Sequence, residues 1–302
     1  MDTIYSVLIF IAVLILYSQI IFQLKKGDDI EIYETDYTTN KDINANANLK
    51  QPFVFQFGEY DTNLKSMPLS KLVAEQGSFD VFVKETADYH ADRPPTSVVL
   101  SLNAANGLMK TDTTGKYFSS GNQYFIEETG IQRYYQQLDK YLEPALSVFS
   151  RYDLLLGSAG ATTPLTYHTF ERRYIYITGG KYVVKMTPWR STKYMAINKN
   201  YRDYEFSSPL NVWNAQPAYD SGYSKMKFVE FNVEAGQVLY VPPFWHYSLK
   251  MVGEDDHVAS VFDYSSPMNI LANAFSITNH LFEKYGPSKM GKKEGEVKIE
   301  TI

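Results

Sequence analysis

Apolar and polar residues alternate with a period of two in several stretches of this chain, Phe53-Val-Phe-Gln-Phe, Phe79-Asp-Val-Phe-Val-Lys and Phe228-Val-Glu-Phe-Asn-Val, and His257-Val-Ala-Ser-Val-Phe-Asp-Tyr reads as the last strand. That period puts successive side chains on opposite faces of a sheet, so each stretch predicts a strand. Between Tyr152 and Trp189, two apolar runs rich in Leu, Ile, Val and Tyr flank a loop-like centre, which predicts strand, turn, strand. Thr166 and His168 stand two apart in that centre and share a face if the segment is extended. Val238 to Leu249 reads as a second polar-tipped strand, carrying Pro242-Pro243-Phe244-Trp245-His246. Ser97 to Leu102 predicts a strand or the start of a short helix, and Tyr117 with Gln123 to Glu128 a further strand.

A different pattern opens the chain. Ile4 to Leu24 is apolar except for Ser6, Ser18, Gln19 and Gln23, and at about 1.5 Å per residue it reaches about 30 Å, the depth of a bilayer core. A cleavable signal peptide would have a basic start, a shorter apolar run and small residues at its end. This run starts after Met1-Asp2 and ends in Gln-Leu-Lys-Lys, so residues 1–26 are expected to be a retained transmembrane anchor, binding the lipid bilayer through Ile4 to Leu24. Lys25 and Lys26 follow the run and no basic residue precedes it, which places the globular part on the cytoplasmic side.

Residues 27–51 are polar and predict a tether, and 52–268 hold the strands of one β domain. Pro68 to Glu75 predicts a short helix with Ser66 as its cap, and Ile131 to Phe149 one helix or two pieces around Pro144. Residues 190–228 are polar, rich in tyrosine and expected to form a long irregular excursion, the candidate surface for protein partners. Residues 269–287 predict an amphipathic helix running to Tyr285 before Gly286-Pro287, and 288–302 a charged, mobile tail.

Composition narrows the chemistry. With a net charge of −5 and no long basic run, nucleic-acid binding is not expected. The chain has no cysteine, which excludes disulfides, zinc–thiolate sites and thiol nucleophiles. It also lacks an Asn-x-Ser/Thr acceptor, and both absences lean toward a reducing compartment. Aromatic residues reach 15%, mostly through 25 tyrosines, which suits half-buried strands more than any particular reaction.

Two segments carry a family resemblance. Gly157-Ser-Ala-Gly-Ala-Thr-Thr-Pro-Leu-Thr-Tyr-His with Thr178-Gly-Gly-Lys-Tyr-Val-Val-Lys-Met-Thr-Pro resembles the core of the JmjC and cupin-like hydroxylases. Glu234-Ala-Gly-Gln-Val-Leu-Tyr-Val-Pro-Pro-Phe-Trp-His resembles their second signature. The resemblance covers about Phe53 to Pro267. It implies a mainly β fold, a double-stranded β-helix or jelly roll with flanking helices. It also implies dependence on Fe(II) and 2-oxoglutarate where the family's site is intact.

In the family the first two iron ligands come from Thr-Pro-Leu-His-x-Asp. Here that motif stands as Thr163-Pro164-Leu165-Thr166-Tyr167-His168, so its histidine is replaced by Thr166 and its aspartate by His168. The second-signature histidine matches His246, and the residues that hold the acid cofactor match Thr163 and Lys181. Iron in such a site takes two histidines and one carboxylate. His168 and His246 supply two neutral ligands and no charge. They are either metal ligands of a non-standard site or inward-facing remnants hydrogen-bonded within the fold, and Lys181 either binds an acid or reaches solvent.

Two functions follow. The first is a membrane-anchored, catalytically inactive cupin-like domain that binds or scaffolds, with no cofactor; a membrane-associated assembly such as a viral shell is compatible with it. The second is a divergent 2-oxoglutarate oxygenase or other metalloenzyme using His168 and His246.

Overall fold

The alternating segments pair into two facing sheets in a computed structural model of the chain, which describes residues 2–61, 64, 67–91 and 95–285. In chain order the strands are β1 (Tyr33–Asp36), β2 (Phe53–Gln56), β3 (Asp80–Glu85), β4 (Ser97–Ser101), β5 (Tyr117–Ser119), β6 (Phe149–Gly157), β7 (Leu165–Tyr167) and β8 (Arg172–Gly179). They continue with β9 (Lys181–Thr187), β10 (Asn198–Asn200), β11 (Glu205–Ser208), β12 (Val229–Glu234), β13 (Gln237–Val241), β14 (His246–Val252) and β15 (His257–Ser265). The helices are α1 (Asp2–Leu24), α2 (Asn40–Ala47), α3 (Leu69–Gln76), α4 (Thr86–Tyr89), α5 (Leu102–Thr111), α6 (Gln123–Glu128), α7 (Gln132–Leu142), α8 (Asp220–Tyr223), α9 (Pro267–Ala272) and α10 (Ala274–Tyr285).

Among the described residues, one sheet has nine strands in the order β1-β2-β13-β8-β15-β6-β5-β3-β4, and the other six in the order β10-β11-β7-β14-β9-β12. All neighbours run antiparallel except β1 and β2. The large sheet buries both faces. Toward the small sheet it turns Leu155, Ile175, Ile177, Leu239, Val241 and Val261, which meet Tyr182, Val184, Met186, Leu249 and Met251. On its other face Tyr152, Tyr174, Tyr176, Tyr240, Phe262 and Tyr264 pack under α2, α3, α5, α6 and α7. This is the cupin architecture, mainly β with flanking helices, and tyrosine serves it chiefly by filling core volume, with only some of its hydroxyls reaching a partner. Tyr152 and Tyr264, for instance, both donate to the Asp139 carboxylate on α7.

Several expectations are corrected. Residues 27–51 are not a free tether: β1 pairs with β2, and α2 buries Ile43 and Ala47 against the core. Gln123 to Glu128 is helical, because only the adjacent Phe125 and Ile126 need burial and no alternation holds the segment in a sheet. The 190–228 excursion contains β10, β11 and α8, and its Leu210, Val212 and Met226 pack on Leu165 of the small sheet. The C-terminal helix breaks at Asn273 into α9 and α10. Pro144 ends the helical run after α7, and β6 begins at Phe149. Ser66, Gly286-Pro287 and the tail 288–302 lie outside the described residues.

Among the described residues one helix, through Ile4–Leu24, is long and apolar enough to cross a membrane. Its C-terminal end joins the domain without a spacer. Gln23 is buried, and Asn269 on α9 donates to its side-chain oxygen at 3.4 Å. Lys26 places its ammonium 4.1 Å from the Trp189 ring centre and 5.3 Å from that of Phe244, both cation–π distances. Gly27 is required there, since a β-carbon would lie 2.0 Å from the Lys50 carbonyl oxygen. Lys50 is itself fully buried, 5.1 Å from the Phe22 ring, and burial lowers its ammonium to about 7.

Candidate functional site

Strand parity decides what faces the space between the sheets. On β8, Arg173 shares its face with Ile175 and Ile177, and on β15 Asp263 shares its face with Val261. Register does the rest: Asp263 is directly opposite Arg173 on one side and Arg151 of β6 on the other. Three charged side chains therefore lie in a row across three neighbouring strands and point toward the small sheet.

The row is fully hydrogen-bonded. Arg173 donates from Nε to Asp263 Oδ1 at 2.6 Å and from Nη2 to Oδ2 at 2.7 Å. Arg151 donates from Nε and Nη2 to Oδ2 at 3.0 and 2.8 Å. Arg173 Nη1 also donates to the Tyr247 hydroxyl at 2.8 Å. Burial alone would raise the Asp263 carboxyl, but the two guanidiniums outweigh it and hold it below its ordinary value. Phe170 lies beneath both cations, its ring centre 4.5 Å from the Arg151 guanidinium carbon and 5.5 Å from that of Arg173. Two arginines on one carboxylate leave one positive charge in excess.

His168 belongs to this group. Its ring stacks near Phe170 and donates from Nε2 to the Val241 carbonyl at 2.9 Å, while Nδ1 is buried without a hydrogen-bond partner. Burial, reinforced by Arg173, lowers its pKa to about 3, so the ring is neutral.

His246 does not belong to it. The residue is paired with Thr187, and its strand neighbour Tyr247 is the one that turns inward to Arg173. His246 therefore points to the opposite face of the small sheet. There it stacks on Trp189 at 5.5 Å and meets the edge of Tyr167 at 5.2 Å. Neither ring nitrogen has a partner, and burial lowers its pKa to about 3. The sheet separates the two histidines.

The other candidates lie elsewhere. Thr166 is in register with Tyr247 and shares the inner face. Thr163 Oγ1 accepts from the Leu249 amide at 2.9 Å, and its own amide donates to the Leu249 carbonyl, so it braces a loop to β14. Lys181 stands opposite Val252 at the far end of β9 from Thr187, about 20 Å from His246 at strand rise. Its ammonium pairs with Glu234 at 2.8 Å on the surface, where the side chains are 43% and 60% exposed. Glu171 turns away and accepts from the Ser266 amide and hydroxyl at the start of α9.

No group of three His, Asp or Glu side chains converges among the described residues. Ferrous iron bound by two histidines and a carboxylate does not fit this corner: Thr166 replaces one ligand, Asp263 is occupied by four N–H donors, and His246 faces away. Lys181 is too far to hold an acid cofactor at the same place. Sequence reasoning missed Arg151, Arg173, Asp263 and Tyr247. The available signal was a charge at an inward position of each of three apolar strands.

The small sheet's outer face, where His246 lies, is roofed by the 190–228 excursion. Trp213 donates from its indole to Ser248 Oγ at 2.8 Å, and Lys185 donates to the Val212 carbonyl at 3.3 Å.

Residues 29–275 match the family described as cupin-like domain. The chain is also 23% identical over 231 residues to the tRNA wybutosine-synthesizing protein 5 of Homo sapiens, an alignment covering 74% of this chain and 57% of that protein. The chain thus spans little more than half the length of the relative it matches.

Proposed function

The chain belongs to the cupin-like domain family, and we propose that it is a binding or scaffold member of that family, held at a membrane by α1 and inactive in iron-dependent oxidation. One observation carries this reading: Asp263, the inward carboxylate nearest His168, is consumed by Arg151 and Arg173. An excess positive charge at that point repels a second cation, so the geometry that stabilises the barrel mouth opposes a metal there. Protein partners would meet the outer residues of the 190–228 excursion, such as the exposed Lys199, Arg202 and Asp203. Lys25 and Lys26 favour the cytoplasmic side for the domain.

The second reading is a divergent oxygenase or other metalloenzyme, favoured by the likeness to a wybutosine-synthesizing protein. It requires His168 or His246 to gain ligands by rearrangement of the small sheet.

Metal analysis of the full chain purified in detergent separates the two. The scaffold reading expects no stoichiometric iron, zinc or nickel and no turnover of 2-oxoglutarate. About one equivalent of iron, with 2-oxoglutarate decarboxylation abolished by His246→Ala, overturns it.

A further inference from the structure

The exposed apolar residues of α9 and α10 fall on one stripe. Leu271, Phe275, Phe282 and Tyr285 recur at intervals of four, seven and three, and Leu281 borders them. In a water-soluble domain such a stripe faces the core. Here it faces outward: Phe275 is 76% exposed, Phe282 70% and Tyr285 72%. The helices are attached through polar residues and through the half-buried Met268, Ile270 and Ile277. Asn273 donates to the Thr169 carbonyl at 3.3 Å, and His280 Nδ1 bonds the Tyr201 carbonyl at 2.6 Å while its ring meets Tyr204 at 5.4 Å.

Both attachments lie beside the end of α1. Asn269, one turn before Asn273, bonds Gln23. Tyr204 packs on Phe206, which stacks on Tyr167 next to Phe244, the ring under Lys26. The exposed stripe thus begins where the apolar helix leaves the domain.

We propose that α10, with the end of α9, is a second membrane contact lying in the boundary between headgroups and acyl chains, with Leu271 of α9 and Phe275, Leu281, Phe282 and Tyr285 of α10 turned into lipid. This rests on reading α1 as a membrane span. The occupant is a phospholipid bilayer because the stripe is continuous with a helix that itself needs one. Phenylalanine and tyrosine suit that depth, and Lys284 in the last turn can meet lipid phosphate. The barrel end near His246 then faces the membrane, and the end near Lys181 faces away.

The absence of cysteine makes the test direct. The full chain is reconstituted in phosphatidylcholine–phosphatidylglycerol vesicles carrying one bimane label, in separate samples, at Phe282→Cys, at Val13→Cys within α1, or at Lys110→Cys beside Asp256 near the Lys181 end. Quenching by lipid-borne nitroxide and by aqueous iodide is compared. The proposal expects the label at 282 to be quenched by headgroup-proximal nitroxide and shielded from iodide, with the reverse at 110. If the label at 282 stays open to iodide and untouched by lipid nitroxide while that at 13 is quenched, the proposal fails and the anchor stands. Shielding of 282 from both quenchers means that a second copy covers it, which also overturns the proposal. No lipid quenching at 13 overturns the anchor itself and the inference with it.

Discussion

Asp263 and Arg173 face each other across β15 and β8 and share two hydrogen bonds of 2.6 and 2.7 Å with the carboxylate 1% exposed. Such a pair is costly to desolvate and costlier to break. Removing one partner of a buried ion pair typically loses about 3–5 kcal/mol, because the other charge stays buried alone. Asp263→Ala strands two guanidiniums and is expected at the upper end of that range, read as a lowered denaturant midpoint. A loss under about 1 kcal/mol would mean that the row is open to solvent.

Thr166→His combined with His168→Asp writes the family's ligand motif back into this chain. It is expected not to create a ferrous site, because His246 remains on the far face of the small sheet with Trp189. Anaerobic iron titration of the double variant checks this. Binding of about one equivalent would show that β14 can turn His246 inward.

The buried histidines set a pH dependence. Both are neutral in the fold, with pKa lowered to about 3, whereas the unfolded rings take a proton near about 6.5. The unfolded chain therefore binds more protons in that window, and stability falls as pH drops from about 6.5 toward about 3. Asp139 and Asp153, whose carboxyls burial raises, act in the opposite sense at the acid end. The diagnostic is thus a difference: His168→Asn with His246→Asn flattens the slope of urea midpoint against pH below about 6.5. An unchanged slope would place both rings in contact with water.

Gly27→Val tests how α1 is mounted. A β-carbon 2.0 Å from the Lys50 carbonyl cannot be accommodated without moving the backbone, and overpacking of this kind costs about 1–3 kcal/mol. The melting temperature of the full chain in detergent should fall, and amide exchange at Lys50 should quicken. No change in either would indicate a hinge at residue 27.

The sheets were legible where one face is more buried than the other and period-two alternation survives, as in β3 and β12; β2 and β15, buried on both faces, show as short runs of strand-forming residues between turns. Residues 27–51 were not, since an edge strand and a two-turn helix need few apolar positions. β1 has none fully buried and α2 uses only Ile43 and Ala47. The asparagines that made this segment look like a loop are structural: Asn44 and Asn48 accept from buried Arg172. At the site, the replaced ligands Thr166 and His168 could be read directly from the motif. The ion-paired row could not, because a charged residue in a strand ordinarily signals a wet face, and only the register of three strands reveals that Arg151, Asp263 and Arg173 meet. Residues matching the family motif were also expected to converge, yet neighbouring positions on β14 point to opposite sides.

The contact between Gly27 and Lys50 leaves the domain no stalk. Lys26 is held over Trp189 as well, so, on the proposed reading of α1 as a membrane span, the domain has no flexible lead on which to reach outward from the bilayer. On that reading a partner would meet it laterally in the plane of the membrane, and its range of search would be that of the lipid around α1.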